Sequence, residues 1–232
     1  MIKSAWKDFV ETIYPAICKG CGTLLLKDEE VLCLTCDYDL PRTNYHLEVD
    51  NDLIAKFTGR LSLRSAAAML HFSLHGKVQK LLHALKYKNR PHVAVAIGKL
   101  YAKEIKGSAV VEDIDFIVPV PLHPKKYKSR GYNQSTQFAA GLSEVLDIPV
   151  ITNALIRVKE ASSQTGKNRF IRFSAVENCF AAGDVKGLEN KNILLVDDVI
   201  TTGATIESCA KILQGIEGVE ISILAIASRP LN

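Results

Sequence analysis

The chain has 232 residues, 47% of them hydrophobic and 23% charged, with 14 glycines and 8 prolines. That composition excludes a disordered or fibrous chain and leaves room for one full domain plus an appendage. No uninterrupted apolar run reaches the ~18 residues of a membrane span, and the first ten residues carry two lysines without an apolar signal core, so the expectation is a cytoplasmic protein with no membrane insertion.

The net charge of +4 is unevenly spread: residues 1–50 hold five Lys/Arg against nine Asp/Glu, net −4, while residues 51–232 are net +8. Between Asp52 and Glu104 there is no acidic residue, yet Lys56, Arg60, Arg64, Lys77, Lys80, Lys86, Lys88, Arg90, Lys99 and Lys103 all fall there. Such an excess points to phosphate groups or nucleic acid as partners.

In chain order, Trp6, Phe9, Val10 and Ile13 recur at helical spacing, which predicts an amphipathic helix over 4–14 that stops before Pro15. Next come Cys18-x2-Cys21 and Cys33-x2-Cys36, with eleven residues between the pairs. Four thiolates at this spacing suit a structural tetrahedral Zn2+ site, with free or redox thiols as the alternative; Gly20 and Gly22 suit the tight turn beside the first pair. Cys179 and Cys209 read as small core residues. Three segments follow: helix and zinc-binding module over 1–40, a linker and basic helical, hood-like region over 41–113, and an α/β core over 114–232. The polar stretch 41–52 is read as the linker itself. A strand is expected over 65–73, with helices over 77–87 and 93–105. Lys80, His83, Lys86 and Tyr87 on the first helix are read either as nucleic-acid contacts or as a solvated face.

From Ile114 the pattern becomes alternating strand and helix. Strands are expected over 114–120, 149–151, 192–196 and 220–227, and helices over 133–146 and 204–216. Short β-branched runs alternating with helices imply a mainly parallel sheet covered on both faces, with ligands at the carboxyl ends of its strands.

The most informative stretch is Ile193 to Thr205, ILLVDDVITTGAT. An apolar strand delivers Asp197 and Asp198 to its carboxyl end, and a loop of Thr201, Thr202, Gly203, Ala204 and Thr205 then opens a helix. Hydroxyls and N–H groups at a helix N-terminus form a phosphate cradle, and the carboxylates match vicinal sugar hydroxyls, directly or through Mg2+. A phosphate at one end and a diol at the other describe a ribose 5-phosphate.

This string closely resembles the signature of the type I phosphoribosyltransferases. With residues 118–134 (VPVPLHPKKYKSRGYNQ), the segment Ser163 to Arg169, Asn178, Phe180 and the four-cysteine module, nearly the whole chain is similar to the ComF family of competence-associated proteins. The resemblance implies a type I phosphoribosyltransferase fold, binding of phosphoribosyl pyrophosphate (PRPP) with Mg2+, and an association with DNA uptake and natural transformation. On that basis Asp197 and Asp198 meet the ribose hydroxyls, residues 201–205 wrap the 5-phosphate, and Lys126, Arg130 and Gly131, read as part of a basic loop over 119–131, meet the pyrophosphate. Arg169, in a polar segment over 157–173 that matches the loop closing over PRPP, is a catalytic candidate with Asp197 and Asp198, and Lys167 stands beside it. His123 is left open between a structural and a catalytic role.

One departure from the pattern is Thr201, which stands where purine-salvage members carry a general-base carboxylate; this argues against a hypoxanthine or guanine salvage analogue. Two functions are expected as alternatives: a phosphoribosyltransferase with an unknown acceptor, and a non-catalytic accessory protein that binds single-stranded DNA or a competence helicase and uses the PRPP site for regulation. A homodimer is compatible with either.

Overall fold

A computed structural model describes residues 16–73, 76–86, 90–158 and 179–231. The helix expected over 4–14 and most of the segment 157–173, including Lys167 and Arg169, lie outside the described residues.

In chain order the elements are α1 (Leu34–Tyr38), a 3-10 turn (Tyr45–Leu47), α2 (Asp52–Ala55), β1 (Ser65–His71), α3 (Lys77–Lys86), α4 (Pro91–Ile105), β2 (Phe116–Pro119), α5 (Pro124–Arg130), α6 (Gln134–Leu146), β3 (Leu155–Arg157), β4 (Phe180–Ala182), β5 (Asn192–Ile200), α7 (Ala204–Gln214) and β6 (Glu220–Ser228). The main sheet has the order β1-β6-β5-β2, and every pairing in it is parallel. Its strands are near-continuous apolar runs because both faces are covered: Ala66 to Leu70, Ile193 to Val196 and Ile221 to Ala227 are buried. β3 and β4 form a separate antiparallel pair.

The first edge strand, β1, comes from the segment 41–113 and pairs with β6 from Ser65↔Ser222 to His71↔Ser228. Residues 41–52, expected as a linker, are instead anchored. Tyr45 is buried, and Arg42 bonds Asp37 at 2.5 Å and Glu104 at 2.8 Å. Asn51 donates to the carbonyls of Tyr45, Glu48 and Ala66, while its side-chain oxygen caps α2 at Leu53 and Ile54. Polarity suggests a solvated linker, but here the polar groups satisfy backbone that would otherwise be orphaned.

Three further expectations are corrected. The strand over 149–151 is reduced to one parallel bridge, Ile117↔Val150, at the outer edge of β2. The strand starting at residue 192 runs on to Ile200, so Asp197 and Asp198 lie within it. The basic loop over 119–131 contains the helix α5, whose N-cap is His123: its Nδ1 accepts from the Lys125 N–H at 3.2 Å. This gives His123 a structural role.

α6 packs on β2 and β5, and α4 packs on α6 through glycines, since a Cβ on Gly98 would strike the Phe138 carbonyl and one on Gly141 the Val95 carbonyl. The buried residues form one contiguous core that runs from Cys18 and Cys36 in the cysteine module to Ala227 in β6. Among the described residues no helix is long and apolar enough to cross a membrane.

Candidate functional site

β2 ends at Pro119, opposite Val196, and β5 runs on past it to Ile200, so the two strands finish at the same edge of the sheet. Beyond them opens a cleft of about 190 Å3 whose charged lining residues are Lys86, Lys126, Arg130, Arg157, Asp197 and Asp198. Four cations therefore surround two adjacent carboxylates, an arrangement suited to an anion that also presents hydroxyls.

Asp197 is 8% exposed. Its Oδ1 accepts from Ser135 Oγ at 2.9 Å and from the Asp198 N–H at 2.8 Å. Burial, with the Asp198 charge adding to it, pushes its carboxyl up to about 7. Asp198 is more accessible and pairs with Lys86 Nζ at 3.1 Å. Ser135 is held in place by its position in the first turn of α6, where Asn133 is the N-cap and also donates to the Val120 carbonyl at 2.9 Å. Tyr132 bonds the Leu85 carbonyl at 2.6 Å and ties the end of α3 to this edge.

Among the residues expected from the sequence, the cleft brings together Asp197, Asp198, Lys126, Arg130 and Thr205. Thr201, Thr202, Gly203 and Ala204 are not lining residues; they continue from Asp198 as the turn into α7. Gly203 has φ +84 and is the N-cap of that helix; a Cβ there would come within 2.7 Å of Phe57 Cε1, so both conformation and space select glycine. Gly131 closes α5 with φ +82 and stands next to the lining residues, not among them.

Sequence reading missed Ser135, Gln134 and Arg157 as site residues, and it left Lys86 open between a nucleic-acid contact and a solvated helix face, where the structure has it lining the cleft. Gln134 is 2% exposed; its Oε1 accepts from Arg130 Nη1 at 3.0 Å, while its Nε2 has no hydrogen-bond partner among the described residues. A buried amide donor left in this state is costly unless something enters the cleft to accept from it. The sequence signal was present in the run Asn133-Gln134-Ser135 at a helix start beside the basic segment.

The second candidate site is the cysteine module. The Sγ atoms of Cys18, Cys21, Cys33 and Cys36 all lie within 4.8 Å of one another, and Cys21 and Cys33 are 3.7 Å apart. Tetrahedral Zn–S geometry requires sulfur separations of about 3.8 Å. Backbone N–H groups of Gly20 and Cys33 point at Cys18 Sγ at 3.4 and 3.3 Å, and that of Cys36 at Cys33 Sγ at 3.4 Å, the outer hydrogen bonds that thiolate ligands take. Hydrogen bonding to Thr23 brings the Cys21 thiol down to about 6, whereas burial pushes Cys36 up to about 12. The four cysteines fit a metal such as zinc. Cys179 and Cys209 are buried, as expected of core residues.

A groove of about 490 Å3 separates this module from α3, lined by Lys19, Lys80, His83 and Arg90 among others. α3 thus presents Lys80 and His83 to the groove and Lys86 to the carboxylate cleft.

The family model described as "Phosphoribosyl transferase domain" matches residues 132–231. Competence protein F of Haemophilus influenzae is 30% identical over 151 residues, covering 63% of this chain and 66% of that protein. The DNA utilization protein YhgH of Salmonella typhimurium is 31% identical over 137 residues, covering 57% and 59%. The matched part thus spans less than two thirds of either relative. Among solved structures, the glutamine phosphoribosylpyrophosphate amidotransferase of B. subtilis is similar at a TM-score of 0.40 and 21% identity, over 58% of this chain and 26% of that one.

Proposed function

Because the chain belongs to the ComF family and has a phosphoribosyltransferase-type fold with a four-cysteine module at its N-terminal end, we propose that it binds PRPP in the cleft between β2 and β5 and acts in DNA uptake or utilization. The observation that carries this reading is the meeting, at one sheet edge, of the carboxylate pair Asp197/Asp198 with Lys126, Arg130 and Thr205, the last residue of the hydroxyl-rich turn 201–205.

Asp197 and Asp198 accept hydrogen bonds from the ribose hydroxyls. The turn 201–205 holds the 5-phosphate with its hydroxyls and the N–H groups that open α7. Lys126, Arg130 and the backbone at Gly131 hold the pyrophosphate, and Gln134 Nε2, which has no partner among the described residues, donates to a ligand oxygen. Mg2+ is expected to arrive with the substrate and to neutralise pyrophosphate charge. In a transfer reaction the C1–O bond breaks with ribosyl cation character, pyrophosphate leaves, and a nitrogen nucleophile attacks C1. The side chains supply charge neutralisation and orientation, and no covalent nucleophile on the protein is needed. Cys18, Cys21, Cys33 and Cys36 hold a structural Zn2+. Arg169 remains the candidate for neutralising the departing pyrophosphate.

A second reading, a non-catalytic accessory protein on single-stranded DNA or a helicase, is favoured by the groove between the cysteine module and α3. Lys19, Lys80, His83 and Arg90 gather there, and next to it His92 is held below its usual range by burial and by the charges of Lys19 and Arg90. Such a surface suits a phosphodiester backbone.

The deciding experiment is titration with PRPP and Mg2+, a pyrophosphate-release assay across a panel of bases, and titration with labelled single-stranded DNA at two salt concentrations. Asp197→Asn with Asp198→Asn abolishes PRPP binding if the site is assigned correctly, and retained affinity refutes it. Release of pyrophosphate identifies an enzyme. Its absence, together with salt-sensitive DNA binding, favours the accessory reading.

A further inference from the structure

The backbone ladder between β5 and β6 ends where the Arg229 N–H donates to the Ile200 carbonyl at 2.9 Å. At the next step a side chain replaces it. Lys56 Nζ donates to the Thr201 carbonyl at 3.0 Å and to the Arg229 carbonyl at 2.6 Å. Lys56 follows α2 directly and is only 6% exposed, so an ammonium group is held beneath the point where the chain leaves the sheet for the turn 201–205.

The neighbours of Lys56 grip the same turn. The Phe57 ring occupies the space in which a Cβ of Gly203 would lie. One turn later Arg60 bonds the Lys56 carbonyl through Nη2 and pairs through Nη1 with Glu207 at 2.6 Å, in the first turn of α7. Residues 56, 57 and 60 thus hold the entry, the middle and the exit of the turn. None of them lines the cleft.

Resting on the reading of Asp197 to Thr205 as the ribose 5-phosphate half of the site, we infer that residues 56–60 form a clasp that sets the phosphate turn in its binding shape, with Lys56 as the positioning residue. Charge-assisted bonds to two carbonyls fix the turn more firmly than neutral ones would. The bond to the Thr201 carbonyl also polarises that peptide unit, making the Thr202 N–H a stronger donor, as a phosphate dianion requires. The effect is local: the pyrophosphate half, at Lys126 and Arg130, lies on another element and does not depend on the clasp.

The test is calorimetric titration of the full chain with ribose 5-phosphate and, separately, with inorganic pyrophosphate and Mg2+, in wild type, Lys56→Met, Lys56→Arg and Arg60→Gln. Lys56→Met weakens ribose 5-phosphate about tenfold or more, the scale of one lost charge-assisted bond, and leaves pyrophosphate within about twofold; Lys56→Arg recovers part of the loss. Equal weakening of both ligands alongside a lower melting temperature marks a merely structural lysine and overturns the clasp. Unchanged ribose 5-phosphate affinity overturns the clasp while leaving the PRPP site standing. Failure of the wild type to bind ribose 5-phosphate overturns the PRPP reading and the clasp with it. Should Lys56→Met not fold, Arg60→Gln decides: the same ligand split supports the clasp, and no split overturns it.

Discussion

Lys86 Nζ stands 3.1 Å from Asp198 Oδ2, so the helix that faces the cysteine module along its middle ends in the carboxylate cleft. The pair is partly exposed on both sides and contributes under about 1 kcal/mol to stability. Lys86→Met is therefore expected to leave the melting temperature nearly unchanged while weakening PRPP roughly three- to tenfold, because one of the cleft's cations is removed. Calorimetry beside thermal melting checks this, and a large loss of stability without loss of affinity contradicts it.

Asp197 gives a pH dependence of known sign. Its carboxyl is pushed from an ordinary 3.8 to about 7, so between those values the native state holds a proton that the unfolded chain has lost. That contribution to stability is full below the unfolded value and disappears as pH rises through about 7. Asp197→Asn removes it. Thermal melts at pH 5, 6, 7 and 8 are predicted to show the variant gaining on wild type as pH rises; a constant difference would falsify the shift.

Gln134 should separate stability from binding. Gln134→Met removes a buried donor that has no partner among the described residues, and with it the oxygen that accepts from Arg130; the two changes oppose each other, so the free protein is expected to stay within about 1 kcal/mol of wild type. PRPP affinity falls in the same variant. Urea denaturation and calorimetry are the measurements, and a joint loss of stability and affinity assigns the amide a structural role instead.

At Gly203, both φ +84 and the Phe57 ring oppose a side chain. Gly203→Ala is expected to cost about 1–3 kcal/mol in urea unfolding and to abolish ribose 5-phosphate binding, since the turn must open to admit the methyl. Gly187, which has φ +78 but no heavy atom of the described residues within 4 Å of where a Cβ would lie, separates the two causes: Gly187→Ala pays only for conformation.

Metal content tests the cysteine module. Elemental analysis is expected to find one zinc per chain in wild type and little in Cys36→Ser. Because Cys18, Val31, Leu32, Cys36 and Leu40 belong to the contiguous core, removing the metal should lower the melting temperature of the whole chain. A metal-free protein with an unchanged melt removes the zinc assignment.

The elements with strong local signals were legible in the sequence. The apolar strands β1, β5 and β6, the helices α3, α4, α6 and α7, the paired cysteines and the carboxylates at a strand end each depend on periodicity or on residues close together in the chain. Elements stabilised from a distance were not. The strand over 149–151 shrank to a bridge, β3 and β4 were too short for a pattern, and residues 41–52 looked like a linker because several of the groups their polar side chains bind, the Ala66 and Ala68 carbonyls and the Glu104 carboxylate, lie outside the segment. The clearest contrast is Lys56. In the sequence it is one of ten basic residues in an acid-free stretch, indistinguishable from its solvated neighbours. Only the tertiary structure, by bringing β1 to the edge of β6, carries the turn after α2 beneath the ends of β5 and β6, where an ammonium takes over the hydrogen bonds of a ladder that has ended. Sequence determined which chemical groups the protein has and where along the chain they cluster. Tertiary structure decided which of its cations face a ligand, which face the cysteine module, and which hold the turn from below, because those placements depend on contacts between residues far apart in the chain, more than a hundred positions apart in the case of Lys56 and Arg60.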